Sequence, residues 1–248
     1  VLTPAWCAPV FARMRGVRHV IDSTLRHREI GWTQRRGLAR KLREERYTRA
    51  VVLPNSWKSG LVPWLARNLE RIRQRTGYRG ELLFGLINDI RRLDRHATPR
   101  LVDRYAALAT PTGEPAQAAS APVLVPNLEN RLAQVNALAL DVANAVAIFC
   151  PGAEFGPAKR WPVGHFSELA QKFLAAGLRV WLIGSPNDRT IGQAIIGSAG
   201  DAGTAIVDLT GRTDLGTAVD LLSLPSIVVS NDSGLMHAAA AVGAKYPC

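Results

Sequence analysis

The sequence predicts an α/β protein whose strands are joined by loop–helix connections and run parallel. Three segments support this prediction, each a short β-branched run that ends in a polar or glycine-rich loop and continues as an amphipathic helix. They span residues 47–72, 145–174 and 226–241. The carboxyl ends of parallel strands meet at one edge of a sheet, where open α/β folds bind their ligands.

The remaining elements follow from hydrophobic periodicity and from Gly and Pro breaks. We expect Tyr47–Leu53 to be a buried strand and Leu61–Ile72 the helix after it. The other predicted elements, in chain order, are a short helix and an edge strand over 10–24, a basic amphipathic helix over 30–45, a helix over 101–108, a linker over 110–125, a helix over 127–138, a strand over 178–184 with a helix starting near 187, and a helix over 215–224.

The loop after the strand at 145–150 has the composition of a diphosphate-binding loop. Its sequence over 151–162 is Pro-Gly-Ala-Glu-Phe-Gly-Pro-Ala-Lys-Arg-Trp-Pro. Glycines let backbone N–H groups approach a ligand, and Lys159 adds a cation beside the start of the helix predicted from Pro162, where the helix dipole also favours anions. An ordinary connection with a solvated lysine is the alternative, and spacing alone does not decide between the two.

The loop at 231–234, Asn-Asp-Ser-Gly, is a second candidate phosphate site at the end of a strand. Ser233 and Gly234 can offer N–H groups to phosphate oxygens. Asp232 accepts hydrogen bonds only, so it suits sugar hydroxyls or the helix start. His237 follows one turn into the helix, on the side that looks back toward the loop, and a packed structural histidine is the alternative.

These two motifs resemble the nucleotide-sugar motifs of the lipopolysaccharide heptosyltransferases, glycosyltransferase family 9, and the type II members more than type I. The first half of the chain agrees, with similar segments at 52–59, 75–81 and 86–89. The resemblance covers nearly the whole chain except about residues 110–145. It implies a GT-B-like architecture of two Rossmann-like domains facing across a cleft, both incomplete here: an acceptor-side domain at 1–109, a linker and helix at 110–144, and a nucleotide-sugar-binding domain at 145–248.

The resemblance and the residue chemistry together predict two sets of binding residues. The donor set is Glu154, Phe155, Gly156, Lys159, Asp188, Asp232, Ser233, Gly234 and His237. Asp188 could meet a ribose hydroxyl or favour a helix N-terminus. The acceptor set is Asn55, Ser56, Lys58, Arg75 and Arg79. Lys58 and Ser56 could equally be a surface cation and a helix cap, whereas Arg75 and Arg79 flank a predicted glycine turn and carry guanidinium groups that suit phosphate or carboxylate.

The implied reaction moves heptose from ADP-L-glycero-D-manno-heptose onto the first inner-core heptose of lipopolysaccharide, with a type I transferase as the alternative. A single displacement inverts the anomeric centre. The sequence has no Asp-x-Asp motif, so Lys159, helix dipoles and loop N–H groups must offset the charge of the leaving ADP, and no metal or cofactor is expected. Compared with the family, both ends look cut. The expected base then precedes Val1, no catalytic residue is assigned, and we expect little transfer from this chain.

Charge is concentrated in the first part of the chain. Residues 1–104 hold 23 Lys and Arg against 9 Asp and Glu, net +14, and residues 105–248 hold 8 against 11, net −3. Nucleic acid, an anionic membrane or an acidic substrate would each explain this, although most arginines at 35–43 suit a solvated helix face. The resemblance implies a lipid A–Kdo–heptose acceptor, a cytoplasmic location with peripheral contact at the inner membrane of a Gram-negative bacterium, and no nucleic-acid partner.

Two other classes of function remain as alternatives. A basic nucleic-acid-binding module would explain the pI of about 10.4, but the sequence has no aromatic platform, zinc spacing or recognisable helix-turn-helix. A Rossmann oxidoreductase would need Gly-x-Gly-x-x-Gly after a strand, and none is present. The three cysteines, Cys7, Cys150 and Cys248, are odd in number and far apart, which favours a reducing compartment. No apolar run is long enough for a membrane span.

Overall fold

The computed structural model describes residues 1–25, 29–67, 72–80, 85–115, 118–153 and 157–244, with the backbone alone for Pro157. In chain order, the described strands and helices are β1 (Leu2–Pro4), α1 (Ala8–Phe11), β2 (Ile21–Ser23), α2 (Trp32–Glu44), β3 (Arg49–Val52), α3 (Trp57–Ala66), β4 (Gln74–Tyr78), β5 (Asp89–Arg91), α4 (Leu101–Ala107), α5 (Leu128–Ala137), β6 (Val146–Cys150), α6 (Val163–Ala175), β7 (Arg179–Leu182), α7 (Arg189–Ser198), β8 (Ile206–Asp208), α8 (Leu215–Leu221), β9 (Ile227–Ser230) and α9 (Gly234–Ala241). None of these helices is long and apolar enough to cross a membrane.

The chain forms two compact units. The first joins Val1–Asp22 to Pro122–Cys248, and the second is Ser23–Ala121. Residues 1–22 therefore group with the later part of the chain, whereas the sequence-based division assigned them to a domain at 1–109. That division remains a prediction about the protein's domains, and each unit is described here by itself.

The first unit is built on a four-stranded parallel sheet in the order β8-β7-β6-β9. Strand β6 is central, and Ile148 on it pairs with Trp181 on one side and Val228 on the other. A strand covered on both faces needs a continuous apolar sequence, and all five residues of β6 are buried. The α/β class predicted from the sequence is confirmed.

Helices cover both faces of this sheet. Alternate residues of β6 point to opposite sides, and each set packs against different helices. Ile148 and Cys150 belong to a core cluster that includes Leu221 of α8 and Ala239 of α9. Phe149 belongs to the other cluster, with residues of α6 and α7. The predicted helices after residues 162 and 233 are confirmed, and each starts at the carboxyl edge of the sheet.

A buried carboxylate anchors the N-terminal segment to this unit. Asp220 on α8 is fully buried and accepts hydrogen bonds from Arg13 Nε at 2.6 Å, Arg13 Nη2 at 2.5 Å, the Asn127 backbone N–H at 2.8 Å and Asn130 Nδ2 at 2.7 Å. Burial raises the pKa of Asp220, but these hydrogen bonds outweigh it and leave the pKa below its ordinary value. Four donors therefore keep Asp220 ionised between α1, α5 and α8.

The second unit holds a three-stranded parallel sheet in the order β3-β4-β5. The predicted glycine turn at 75–77 is wrong, because these residues lie in β4, where Gly77 pairs with Val52 on one side and Ile90 on the other. A Cβ added to Gly77 would lie 3.1 Å from the Val52 carbonyl oxygen, so close packing explains the glycine here.

Two further expectations in this unit are wrong. The strand expected at 47–53 is shorter and not fully buried, because β3 lies at an edge of the described sheet; Val51 is 48% and Leu53 42% exposed. The helix expected at 61–72 begins at Trp57 and ends at Ala66. Arg67 is extended and Ile72 has a positive φ of 48°, neither of which continues a helix.

Candidate functional site

The two predicted phosphate loops emerge side by side at the carboxyl edge of the first unit's sheet. They follow β6 and β9, which are parallel neighbours. Lys159 from the first loop and Asp232 from the second form an ion pair, with 2.5 Å between Nζ and Oδ2. The structure thus brings together charged residues from the two motifs that the sequence singled out.

This ion pair faces solvent. The Lys159 side chain is 46% and the Asp232 side chain 58% exposed, so both groups are accessible to a ligand. The hydrogen bond from Lys159 and its charge lower the pKa of Asp232, and the charge of the exposed His237 makes a smaller contribution in the same direction. Asp232 is therefore ionised at neutral pH. Its carboxylate pairs with Lys159, the cation that a diphosphate would need.

The N-cap residue of α9 supplies no side-chain cap to the helix. Ser233 is its N-cap residue, yet its side chain accepts no hydrogen bond from the first turn. By contrast, Asp214 caps α8 by accepting from the Thr217 N–H at 2.6 Å. Gly234 adds open space, since a Cβ built on it would meet no atom within 4 Å among the described residues outside its own turn. Backbone N–H groups at a helix start near a lysine are suited to an anion.

Asn231 is a residue that the sequence prediction left out of the site. It is only 6% exposed, and its Nδ2 donates to the Pro151 carbonyl at 2.7 Å while its Oδ1 accepts from the Trp161 N–H at 3.0 Å. One side chain thus holds both ends of the loop that carries Lys159. The sequence did contain one signal for Asn231: it directly precedes Asp232 in a turn, where Asn is common.

Asp188 belongs to the capping box of a short 3-10 turn, Pro186–Asp188, which lies between β7 and α7. Its Oδ2 accepts from the Ser185 N–H at 2.8 Å and from the Ser185 hydroxyl at 2.7 Å. A Cβ added to Gly152 would lie 2.6 Å from that same oxygen, so the carboxylate lies against the first loop. Two roles were considered for Asp188. This geometry supports the role at a helix N-terminus, and contact with a ribose hydroxyl remains a prediction.

Cys150 ends β6 directly below the first loop, but it is not a nucleophile. Burial raises the pKa of its thiol to about 12, and the charge of Asp188 adds to this effect. Thiols react as thiolates, so Cys150 is inert at neutral pH.

Three predicted donor residues, Glu154, Phe155 and Gly156, lie outside the described residues. The part of the loop next to them is held from a second side, because the Arg160 guanidinium donates to the Ala153 carbonyl at 3.2 and 3.3 Å.

The predicted acceptor residues of the second unit lie at the carboxyl edge of its own sheet. Asn55 and Ser56 follow β3, with Ser56 as the N-cap of α3 and Lys58 in its first turn. Arg79 follows β4 directly and is exposed. The two loops touch, since a Cβ added to Gly80 would lie 2.5 Å from the Asn55 carbonyl oxygen. The structure therefore groups these four predicted residues at adjoining strand ends.

Arg75 differs from the other predicted acceptor residues. It is 8% exposed, and its guanidinium donates to the carbonyls of Leu86 at 2.8 Å and Ile72 at 3.1 Å. Burial, with a smaller contribution from the charge of Arg67, lowers its pKa. This geometry favours a structural role for Arg75 over direct contact with a substrate.

Asp89 is also occupied within the second unit. It accepts from Arg91 Nε at 2.6 Å, Gln74 Nε2 at 2.9 Å and the Thr76 hydroxyl at 2.9 Å. The hydrogen bond from Arg91 is the largest of the effects that hold its pKa well below the usual range, which makes Asp89 a poor base. Over the described ranges, no three His, Cys, Asp or Glu side chains are grouped so that they could hold a metal ion.

Comparison with known proteins gives a consistent result. The profile "Glycosyltransferase family 9 (heptosyltransferase)" matches residues 35–246. Lipopolysaccharide heptosyltransferase 2 of Escherichia coli K12 is 44% identical over 98% of this chain and 70% of its own length. Lipooligosaccharide heptosyltransferase 2 of Haemophilus influenzae is 40% identical over 98% of this chain and 71% of its own. The solved structure of E. coli ADP-heptose lps heptosyltransferase II matches with a TM-score of 0.87 and 41% identity, over 99% of this chain and 73% of that one.

Proposed function

The chain belongs to glycosyltransferase family 9, and we propose that it transfers heptose from ADP-L-glycero-D-manno-heptose to the first inner-core heptose of lipopolysaccharide. Its type II relatives, at 40–44% identity over nearly the whole chain, support this reaction. The α/β fold with parallel sheets agrees with the GT-B class predicted from the sequence.

The observation that carries the donor side is the ion pair of Lys159 with Asp232, which directly precedes Ser233, the N-cap residue of α9. On donor binding, the diphosphate takes the place of the Asp232 carboxylate beside Lys159 Nζ and accepts hydrogen bonds from the N–H groups around Ser233 and Gly234. These positive groups offset the charge that develops on ADP as it leaves. Asp232, released from the ion pair, is then free to accept from donor hydroxyls, with His237 beside it.

The reaction is a single displacement at the anomeric carbon, so the configuration inverts, and no metal takes part in our proposal. We assign no base among the described residues, because each carboxylate near a predicted site has another partner. Asp232 pairs with Lys159, Asp188 accepts from Ser185, and Asp89 binds Arg91.

A shallow, open basic surface supports an anionic acceptor. It lies in the second unit beside the ends of β4 and β5 and is formed by Arg79, Arg92, Leu93, Asp94, Arg95 and His96. Phosphate groups of lipid A and Kdo carboxylates, the anions expected on the acceptor, suit guanidinium donors of this kind. Asn55, Ser56 and Lys58 complete the proposed acceptor side.

Helix α2 supports peripheral contact with an anionic membrane at the cytoplasmic face. Its buried side includes Leu38 and Ala39, whereas Trp32, Arg36 and Arg40 are exposed at four-residue spacing along one stripe. Tryptophan favours the membrane interface, and each arginine adds about 1 kcal/mol near anionic lipid. We expect Arg36→Glu with Arg40→Glu to reduce sedimentation with anionic vesicles, while reversal of Lys172 and Arg18, both exposed and outside α2, leaves it unchanged.

A transfer assay tests the proposed function. The chain is mixed with ADP-heptose and one of two lipid acceptors, lipid A–Kdo or the same lipid carrying the first heptose; released ADP and product mass are measured. We expect transfer to be slow; product that forms only on the heptose-bearing acceptor supports the type II reaction, and product on the other acceptor indicates type I. Calorimetry with ADP is run alongside, and a chain that binds neither ADP nor ADP-heptose would refute the donor site.

A further inference from the structure

We propose that Asn231 is a positioning residue for the donor site, acting through Lys159 rather than on the ligand. This inference rests on the proposed function, since it assumes that Lys159 binds the diphosphate. Its basis is the double hydrogen bond by which the Asn231 amide holds both ends of the loop at 151–161.

Three hydrogen bonds join Asn231 to the neighbouring strand and its loop. Its backbone N–H donates to the Cys150 carbonyl at 3.2 Å, which extends the β6–β9 pairing by one residue. Its Nδ2 then binds the Pro151 carbonyl, and its Oδ1 binds the Trp161 N–H. The first and last residues of the loop are thus fixed to the same side chain.

A side-chain amide satisfies both contacts with two separate atoms. Pro151 supplies an acceptor and Trp161 a donor, so the residue between them must donate and accept at once. Aspartate accepts only, and an aliphatic side chain does neither and leaves both backbone groups unpaired. Since Asn231 is 6% exposed, water replaces these bonds poorly, and their loss frees the loop.

The position of Lys159 depends on this arrangement. Lys159 lies two residues before Trp161, and its Nζ meets Asp232, the residue directly after Asn231. Asn231 therefore holds both ends of the loop that carries this cation. Without the amide, Lys159 would sample positions away from the start of α9, and ADP affinity would fall although no ligand contact had been removed.

A double-mutant cycle tests the inference. Calorimetry measures ADP affinity for the parent, Asn231→Ala, Lys159→Ala and the double variant. We expect Asn231→Ala to weaken ADP binding about tenfold in the parent but less than about threefold in the Lys159→Ala background, because coupled residues give non-additive effects. Asn127→Ala is the control: it removes the cap of α5 in the same unit and costs stability, but should leave ADP affinity unchanged.

Three results would overturn the inference: unchanged ADP affinity in Asn231→Ala, an undiminished loss in the Lys159→Ala background, or an equal loss in Asn127→Ala. If Asn231→Ala does not fold, Asn231→Ser replaces it, since a hydroxyl keeps one of the two bonds. If Lys159→Ala itself binds ADP normally, the donor site fails instead, so failure of the inference and failure of the proposed function are distinguishable.

Discussion

Lys159 and Asp232 are 73 residues apart in sequence, and their charged groups lie 2.5 Å apart at the edge of one sheet. The pair is exposed, so it contributes little to stability. The pair matters for ligand binding, because Lys159 is paired with the Asp232 carboxylate and a diphosphate must replace that carboxylate.

We first predict that Lys159→Ala weakens ADP binding by about 10- to 150-fold, the equivalent of about 1.5–3 kcal/mol for a hydrogen bond to a charged group. Calorimetric titration provides the measurement. Lys172→Ala, which removes an exposed lysine from the last turn of α6, serves as the control and should bind ADP like the parent. Equal affinities for the parent and Lys159→Ala would remove Lys159 from the donor site.

Asp232→Asn should act in the opposite direction. Loss of the carboxylate frees Lys159 and removes a negative charge from the path of the diphosphate, so ADP should bind up to about fivefold more tightly, the range of an exposed ion pair. The same titration, repeated in the Lys159→Ala background, should show a smaller gain. Weaker ADP binding by Asp232→Asn would mean that the carboxylate does not compete for Lys159.

Gly234→Val should leave the fold intact and abolish ADP binding. In the part of the chain that the structure describes, no atom outside the glycine's own turn lies within 4 Å of a Cβ at this position, so we expect the new side chain to meet a ligand held against the backbone. Thermal unfolding and calorimetry on the same sample separate the two effects. Gly37→Ala on α2, another glycine with open space around it, is the control. Normal ADP binding by Gly234→Val would exclude the turn from the site.

Asp220→Ala should destabilise the protein by about 3–5 kcal/mol, because it leaves Arg13 and the start of α5 without their buried acceptor. Urea unfolding measures the change. Asp141→Ala is the matched control, since Asp141 pairs with Arg179 at the surface, where solvent screens the pair and its loss should change stability little. Similar losses in the two variants would show that the Asp220 network does not hold the unit together.

Acid should destabilise the fold through Asp89 and Asp220. The pKa of each is below its ordinary value in the folded chain, so each adds stability above about pH 4, the unfolded value, and this stability is lost as pH falls toward the folded pKa. Melting temperature followed from pH 7 to pH 2 should drop on the acid side, and Asp89→Asn should flatten that drop. The exposed Asp201→Asn is the control; an unchanged acid limb in Asp89→Asn would contradict the assignment.

The sequence by itself determined the α/β class, the strand at 145–150 with its loop and helix, and the donor loop at 231–234. These features are local: a continuous apolar run, glycines and a turn of Asn, Asp, Ser and Gly are enough to predict a buried strand that ends in a ligand loop. The family resemblance came from the same stretches, and comparison with known proteins bears it out.

Only the tertiary structure decided which neighbours these residues have. The sequence around Arg75 and Gly77 suggests a turn, but both residues lie in β4, which pairs with a strand on each side. There the Arg75 guanidinium donates to backbone carbonyls. Asn231 looks like any turn asparagine until β9 is placed beside β6, and then its amide meets both ends of a loop 80 residues away in sequence. Local propensity carries no information about such partners, because strand order and burial are set by packing across the whole sheet.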